Sequence, residues 1–338
     1  MVTKLGLFSR SIGIDLGTTT TRIYLKEKGI VLKEPSVVAV YSGTGQVLSV
    51  GKEAYQMIGR TPADIFILRP IRDGVISNFE ITKIMLQEFI SRIFPMRFHV
   101  LPRSAVVSVS LGITEIEKRA VIEATRQAGV KNVYLVEDSI AGAIGTGLPI
   151  AENCPNLIVD IGGGTSEAAV IALGGIVNKK SLRVGGEYLN EIIGNFIRKK
   201  YNFLVGQRTA EFVKIQIGAA VQSVPKEHLE VRGTNLSNRM PGSLTIDSWE
   251  VGEVLSEIIN TMTTMIKNTL EGTPVEIMTD IMEKGIVLTG GGALLKGLPQ
   301  VVTEKTNIPV SIADEPLESV VLGTGKILSS MAILKKLA

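Results

Sequence analysis

Two stretches of this chain follow one pattern, and that pattern decides the fold. They read Ile-Gly-Ile-Asp-Leu-Gly-Thr-Thr-Thr-Thr over residues 12–21 and Leu-Ile-Val-Asp-Ile-Gly-Gly-Gly-Thr-Ser over residues 157–166. In each stretch an apolar run predicts a strand that ends in an aspartate, and glycine and hydroxyl residues follow. A second apolar run then predicts a return strand. The sequence therefore predicts two β-hairpins of one design in a duplicated chain.

The chemistry of these turns suits phosphate groups. Glycine lets backbone N–H groups approach phosphate oxygens closely, and the hydroxyl groups donate further hydrogen bonds. Asp15 and Asp160, at the strand ends, are placed to hold Mg²⁺ through waters, because Mg²⁺ keeps much of its hydration and takes few carboxylates directly. One such turn is a common way to end a strand. Two copies facing each other would clamp a nucleotide from both sides, so we expect nucleotide binding.

The bulk properties narrow the class of protein. A chain of 338 residues exceeds the usual size of one hydrophobic core, so at least two domains are expected. The net charge of +3 is too small to indicate nucleic acid as a partner. The single cysteine, Cys154, excludes an internal disulfide framework, is expected to be a small buried or partly buried residue, and fits a cytoplasmic location. His99 and His228 are too isolated for a metal site.

Strand and helix signals alternate along the chain, which indicates an α/β protein. A Thr-x-x-Glu capping box at Thr114 and Glu117 predicts a helix that ends at Gly129. The next apolar run predicts a strand that delivers Glu137 and Asp138 to a turn. This order places a carboxylate at the edge of a cleft.

Other segments complete the outline. Residues 41–45 predict the turn of a hairpin in a small inserted subdomain, and residues 69–74 predict a loop. Residues 251–266 keep the apolar spacing of a long amphipathic helix. Residues 286–289 predict a strand that ends in the triplet Gly290–Gly292, followed by a helix. Bare backbone there would admit a flat base or ribose.

With these motifs in place, the chain resembles the actin-like ATPase superfamily and, within it, the MreB family of bacterial actin homologues. The resemblance covers nearly the whole length. The matching blocks are residues 29–31, 34–37, 69–70, 72–76, 112–114, 160–165, 288–292 and 333–337. It implies an α/β, duplicated actin-like ATPase fold with two lobes, each with a central mixed sheet flanked by helices, and a nucleotide in the cleft between the lobes.

The resemblance also implies four subdomains. The expected boundaries are 1–39, 73–152 and 318–338 for subdomain IA, 40–72 for IB, 153–187 and 244–317 for IIA, and 188–243 for IIB.

Site residues carry over position by position as what the resemblance implies. Asp15 and Asp160 would position Mg²⁺ and its waters. The residues that would cradle the phosphates of ATP or ADP are Gly17, Thr18, Thr19, Thr20, Gly162, Gly163, Gly164 and Thr165. Those on the ribose and base side would be Glu211, Lys214, Gly290, Gly291 and Gly292. The catalytic set would be Asp138, Thr165 and Glu137.

Departures from the family pattern bear on turnover. Asp138 stands where the family commonly has a second glutamate, which is expected to orient the attacking water together with Thr165, and Ser139 replaces a proline. The carboxylate of Asp138 is one methylene shorter, so hydrolysis is expected either to slow by about 100-fold or to be kept through an extra water. Thr20 replaces a frequent Asn, and residues 187–190 replace a more acidic stretch.

The implied function is an ATPase coupled to filament assembly that organises cell-wall synthesis and cell shape. Expected partners are further copies of this chain, cell-wall elongation proteins and membrane-anchor proteins. One alternative is a nucleotide-binding filament scaffold with little hydrolysis, favoured by Asp138 and Ser139. A small-molecule kinase of the same fold is a weaker alternative, because the chain lacks room for a dedicated substrate domain.

Two apolar clusters beside basic residues indicate contact with the inner face of the cell membrane. One holds Leu5 and Phe8, and the other holds Phe98 and Leu101. Apolar insertion next to positive charge is the physics of interfacial binding to anionic lipid. The alternative is that both clusters pack into the core. The expected location is cytoplasmic and peripheral to the membrane, since no apolar run is long enough for a transmembrane helix.

Overall fold

The chain divides into two compact units, which we describe from a computed structural model. The first unit contains residues Met1–Pro149 and Leu317–Ala338, and the second contains Ile150–Pro316. The structure describes residues 11–94, 101–152, 154–221 and 225–330. The finer division into four subdomains stays a prediction.

Strands and helices alternate in chain order, as the sequence predicts. Up to residue 149 the elements are β1 (Ser11–Leu16), β2 (Thr20–Leu25), β3 (Gly29–Pro35), β4 (Val38–Tyr41), β5 (Val47–Val50), α1 (Lys52–Gln56), β6 (Ile65–Leu68), β7 (Ile71–Arg72), β8 (Val75–Ile76), α2 (Phe79–Ile93), β9 (Ser104–Val109), α3 (Glu115–Gln127), β10 (Asn132–Glu137) and α4 (Asp138–Gly145). The second unit contains β11 (Asn156–Ile161), β12 (Ser166–Ala172), β13 (Gly175–Leu182), α5 (Gly186–Tyr201), β14 (Phe203–Leu204), α6 (Gln207–Ile217), β15 (His228–Asn235), β16 (Pro241–Asp247), α7 (Ser248–Glu271), α8 (Val275–Lys284), β17 (Ile286–Thr289), α9 (Leu298–Thr306) and β18 (Val310–Ile312). The chain then returns to the first unit with α10 (Ser319–Ser329).

The first unit is built on a mixed five-stranded sheet in the order β10-β9-β1-β2-β3. Strands β10, β9 and β1 run parallel, and β1, β2 and β3 form an antiparallel meander. Alternate residues face opposite sides of a strand, so Ile12 and Ile14 enter one core, where they pack with side chains of α2 and α3. The same alternation turns Gly13 and Asp15 towards the other face of the sheet.

That other face is covered by α4 and α10, which pack unusually close together. A Cβ on Gly145 would overlap the carbonyl oxygen of Ser319, and a Cβ on Gly323 would overlap that of Ala141. A Cβ on Gly13 would likewise overlap the side chain of Thr324. Glycine is required at positions 145 and 323 because backbone meets backbone, and at position 13 because the side chain of Thr324 fills the space.

The inserted region is confirmed as a hairpin and extended by one strand. Strands β4 and β5 pair antiparallel around the predicted turn, and β6 completes a small sheet in the order β5-β4-β6. The prediction of a plain loop at residues 69–74 is wrong. Strands β7 and β8 pair across a tight turn in which Asp73 and Gly74 have φ values of 50° and 77°.

The second unit repeats the design. Its mixed five-stranded sheet has the order β13-β12-β11-β17-β18, with β11, β12 and β13 antiparallel and β11, β17 and β18 parallel. Leu157, Val159 and Ile161 of β11 enter a core shared with side chains of α5, α6 and α7. The predicted helix at 251–266 lies within α7. A separate three-stranded sheet, β14-β15-β16, completes the unit.

Several predictions fall on residues outside the described ranges. These are the membrane residues Leu5, Phe8 and Phe98, the histidine His99, and the matching block at 333–337. Leu101 is described, and half of it is exposed. His228 is exposed at the start of β15, and the half-buried Cys154 contacts the amine of Lys284. Across the described part of the chain, no helix is both long and apolar enough to span a bilayer.

Candidate functional site

The first Asp-Gly hairpin forms as predicted and is held from outside by residues that the sequence did not single out. Strands β1 and β2 pair around Gly17, Thr18 and Thr19. The hydroxyl of Ser36 donates to the Gly17 carbonyl at 2.6 Å, and its backbone N–H donates to the Thr19 carbonyl at 2.9 Å. The N–H of Gly74 donates to the Thr18 hydroxyl at 3.1 Å. The β3 end and the β7–β8 turn therefore set the shape of this hairpin.

Asp15 forms an ion pair across the hairpin. It lies opposite Arg22 in the β1–β2 register, and Arg22 Nη1 lies 3.0 Å from Asp15 Oδ2. Burial raises the pKa of Asp15, while the Arg22 guanidinium opposes that shift through its charge and its hydrogen bond. Arg22 Nε is buried and has no hydrogen-bond partner within the described residues. The first hairpin thus supplies its own cation.

Asp138 lies in the same unit, at the start of α4. The predicted turn is absent, because β10 ends at Glu137 and the helix begins at the next residue. Burial raises the pKa of Asp138 to about 7, and the negative charges of Asp15 and Glu137 add to the shift. The hydroxyl groups of Ser108 and Ser110 act in the opposite direction. The structure therefore brings Asp15 and Asp138 close enough to repel each other.

The second hairpin has the same strand register and a different residue across from its aspartate. The register of β11 and β12 places Asp160 opposite Glu167, and both are buried. The N–H of Gly162 donates to the Thr165 carbonyl at 2.8 Å, which closes the glycine turn. Gly162, Gly163 and Thr165 stay partly exposed beside this turn.

The start of α5 packs directly on this turn. The N–H groups of Gly186 and Glu187 donate to the carbonyls of Gly162 and Gly163, each at 2.9 Å. A Cβ on Gly185 would lie 2.6 Å from the Gly163 carbonyl oxygen, so no larger residue fits there without a shift. The sequence analysis did not predict this contact. The pair Gly185 and Gly186 at the start of α5 is the local feature that could have indicated it.

Lys214 reaches the same place from α6. Its Nζ donates to the Gly186 carbonyl at 2.8 Å. Burial lowers the pKa of Lys214, and the carboxylates of Glu211 and Glu187 oppose that change. Glu211 and Lys214 lie on the same helix, which brings the lysine to the start of α5. Their role at the ribose and base stays a prediction.

The glycine triplet also lies against this hairpin. Gly290 has φ of 81°, and a Cβ there would lie 2.5 Å from Asp160 Oδ1. A Cβ on Gly292 would overlap the side chain of Ile161. The helix predicted after the triplet is present as α9, which begins at Leu298 after a single 3-10 turn over Gly291–Leu294. Bare backbone is required here for close packing against β11.

The predicted residues thus gather in two groups, one per unit. Asp138 and Thr165 belong to different units, so their pairing stays a prediction. The donor chemistry fits a magnesium ion, since Asp15 and Asp160 offer carboxylate oxygens beside glycine turns. No three His, Cys, Asp or Glu side chains cluster as a direct metal cage in the described ranges. Magnesium held through waters by Asp15 and Asp160 stays a prediction.

The first unit also contains a cavity away from these residues. Its volume is about 710 Å³, and Val47, Ile84, Phe94, Leu101 and Gly129 are among its lining residues. None of the predicted nucleotide or catalytic residues lines it, so the cavity is separate from the candidate site.

With this geometry in view, the comparisons identify the family. The family model described as MreB/Mbl protein matches residues 9–336. This chain belongs to the MreB/Mbl family. The family resemblance drawn from the sequence is confirmed.

Individual MreB/Mbl proteins match over nearly their whole length. The cell shape-determining protein Mbl of Bacillus subtilis (strain 168) is 42% identical over 330 residues, which cover 98% of this chain and 99% of the relative. The cell shape-determining protein MreB of Escherichia coli (strain K12) is 44% identical over 327 residues, covering 96% and 94%.

Solved structures confirm the actin-like fold. MreB5 of Spiroplasma citri bound to ADP superposes with a TM-score of 0.90 at 32% identity and covers 97% of this chain and 98% of its own. The same protein bound to AMPPNP gives 0.89 at 33% identity, with 96% and 97% covered. The MamK double helical filament gives 0.80 at 22% identity, with 95% and 99% covered, which supports the fold alone.

Proposed function

We propose that this chain binds ATP and ADP with Mg²⁺ through its two Asp-Gly hairpins, hydrolyses ATP and polymerises into filaments. One observation carries the proposal: each unit presents a buried aspartate at the end of a strand, followed by a glycine turn that adjacent backbone holds in shape. Family membership supports it, because MreB5 of Spiroplasma citri is described with ADP and with AMPPNP.

Each group of residues has a stated role in this proposal. Asp15 and Asp160 hold the water ligands of Mg²⁺, which when bound neutralises phosphate charge. The backbone and hydroxyl groups of residues 17–20 and 162–165 donate hydrogen bonds to phosphate oxygens. The ribose and base are bound by Lys214, Glu211 and the triplet Gly290–Gly292. The triplet packs so closely on β11 that no side chain fits at Gly290 or Gly292.

Hydrolysis in this proposal depends on Asp138 and Thr165. The ionised carboxylate of Asp138 accepts a hydrogen bond from the water that attacks the γ-phosphorus, and the bond to the β,γ-bridging oxygen breaks to release phosphate and ADP. Glu137 contributes negative charge beside Asp138. Because aspartate is shorter than glutamate, we propose that turnover is slow.

A filament scaffold with little hydrolysis is the second candidate. The observation that favours it is the raised pKa of Asp138, about 7, which leaves part of the population protonated near neutral pH and therefore a weaker acceptor for the attacking water. Phosphate release measured during filament assembly separates the two candidates. Filaments without phosphate release support the scaffold.

We further propose that the filaments lie on the inner face of the cell membrane and organise cell-wall synthesis and cell shape with wall-elongation and anchor proteins. The support is the pair of apolar and basic clusters in the sequence, of which Leu101 is half exposed. Each buried CH₂ contributes about 0.8 kcal/mol, so a single cluster binds weakly and polymerisation must multiply the contacts.

One experiment tests both nucleotide-dependent filament assembly and membrane binding. The purified chain is sedimented with ATP and Mg²⁺, with and without anionic liposomes, and ATP affinity is measured in parallel. Leu5→Ser with Phe8→Ser, or Phe98→Ser with Leu101→Ser, should reduce liposome sedimentation and leave ATP affinity unchanged, while Val275→Ser, at an exposed site of the second unit, serves as control. Equal sedimentation of all variants, with filaments verified by microscopy, would return the clusters to a packing role.

A further inference from the structure

The carboxyl group of Asp138 lies against the end of a neighbouring strand. Strands β9 and β10 run parallel with Val109 beside Glu137, so Ser110, the residue after β9, comes level with Asp138. The Ser110 hydroxyl donates to Asp138 Oδ2 at 3.3 Å. Ser110 is buried, and nothing in the local sequence around either residue announces this contact.

A second hydroxyl lies on the same strand. Ser108 is buried and meets no partner at hydrogen-bond geometry within the described residues, yet it lies near enough to Asp138 to lower the pKa of that carboxyl. The two serine hydroxyls are therefore the groups that favour the charged carboxylate, and Ser110 has the bonding geometry.

We propose that Ser110 is a positioning residue that holds the Asp138 carboxylate in the orientation from which it accepts a hydrogen bond from the attacking water. This inference rests on the proposed function. The hydroxyl donates to Oδ2, so the other carboxylate oxygen, Oδ1, is the one that accepts from the attacking water. It also opposes the repulsion from Asp15, which would otherwise turn the short carboxylate away.

The need for such a residue follows from the length of the side chain. An aspartate reaches less far than a glutamate, so its orientation decides whether the water is aligned with the γ-phosphorus. A hydrogen bond to a charged acceptor is stronger than one between neutral groups, which makes a single hydroxyl sufficient to select one rotamer.

The test compares variants by single-turnover phosphate release at saturating ATP, with ATP affinity measured separately. Ser110→Ala should lower the rate about tenfold and leave ATP affinity unchanged, because the hydroxyl orients a group used only in the reaction. Ser110→Thr, which keeps the hydroxyl, should restore the rate to within about twofold. Ser104→Ala is the matched control, since it removes a hydroxyl bonded to Ser11 at 2.8 Å from the other end of the same strand.

A double-mutant cycle excludes a merely structural role. In an Asp138→Asn background, Ser110→Ala should cause no further loss of rate. An equal loss in both backgrounds, a wild-type rate for Ser110→Ala, or a loss of ATP affinity would overturn the inference alone. Equal rates for wild type and Asp138→Asn would instead refute the role of Asp138 in the proposed function, and the inference with it.

Discussion

The two hairpins have the same strand register and opposite charge across from the aspartate. In the first unit Asp15 faces Arg22 and pairs with it at 3.0 Å, whereas in the second unit Asp160 faces Glu167. Residues opposite each other on antiparallel strands share a face of the sheet, so opposite charges attract and like charges repel. The first hairpin pairs its carboxylate with a cation of its own return strand, and the second places a carboxylate at the equivalent position. We expect dependence on Mg²⁺ to be greater at the second hairpin.

The largest effect is expected from breaking the ion pair of the first hairpin. Removing one partner of a buried pair costs about 3–5 kcal/mol, so Arg22→Leu should lower the melting temperature by roughly 5–10 °C. Thermal unfolding measured without nucleotide checks this. Lys33→Met, which breaks an exposed pair with Glu318, should have little effect, and adding Asp15→Asn to Arg22→Leu should recover stability. A drop no larger than that of Lys33→Met would contradict the pairing.

The second prediction sharpens the contrast in metal dependence. Asp160→Ala should lower ATP affinity in Mg²⁺ by about 10–100-fold and remove the difference between Mg²⁺ and EDTA. Asp15→Ala should weaken binding less, because the freed Arg22 guanidinium can attract phosphate. ATP titrations with and without Mg²⁺ measure both, with the exposed Glu283→Ala and Asp64→Ala as controls. Equal losses at both aspartates would remove the distinction between the hairpins.

The third prediction concerns the glycine two residues after each aspartate. A Cβ on Gly17 would lie 2.7 Å from the Thr20 carbonyl oxygen, whereas the nearest atom to a Cβ on Gly162 is 3.5 Å away. Gly17→Ala must therefore shift its turn, at a cost of about 1–3 kcal/mol, and should lower ATP affinity about tenfold. Gly162→Ala should bind nearly as wild type. The same ATP titrations measure both variants. A larger loss of ATP affinity for Gly162→Ala than for Gly17→Ala would show that the Gly162 turn is the less tolerant one.

The last prediction is a pH dependence of the first unit. Because the pKa of Asp138 is raised to about 7, the folded state holds a proton that the unfolded chain releases above its ordinary pKa of 3.8. Stability from this group therefore falls as pH rises from about 4 to about 7 and is constant above that range. Asp138→Asn should remove this slope and gain a few degrees of melting temperature at pH 8. If melting temperature depends on pH in the same way for the wild type and for Asp138→Asn, the raised pKa of Asp138 is ruled out.

The sequence predicted the features that depend on residues close together in the chain. The hairpins, the capping box at Thr114 and the long helix α7 follow from patterns within a few residues, and each is present. The error at residues 69–74 arises because strands of two residues are too short for a periodic signal, and the single 3-10 turn after Gly290 escaped prediction for the same reason.

Contacts between distant segments could not be predicted. The bond from Ser110 to Asp138 depends on β9 lying beside β10, and the packing of Gly185 on Gly163 depends on where α5 meets the sheet. The Asp15–Arg22 pair could have been predicted from the sequence, since both residues lie in one hairpin and only the length of its turn was needed to place them opposite each other. Register and strand order are set by the whole core, so one sequence shows them poorly.

The packing of α10 bears on the order in which the chain can fold as it leaves the ribosome. Residues of α10 are interlocked with α4 and β1 by contacts that only glycine permits, yet they are synthesised after the whole of the second unit. The second unit is continuous in sequence and is complete once residue 316 emerges. The first unit, although most of it is made first, must wait with the part of its sheet that packs against α10 uncovered. Synthesis therefore finishes the second unit before the first, the reverse of the usual order for a nascent chain.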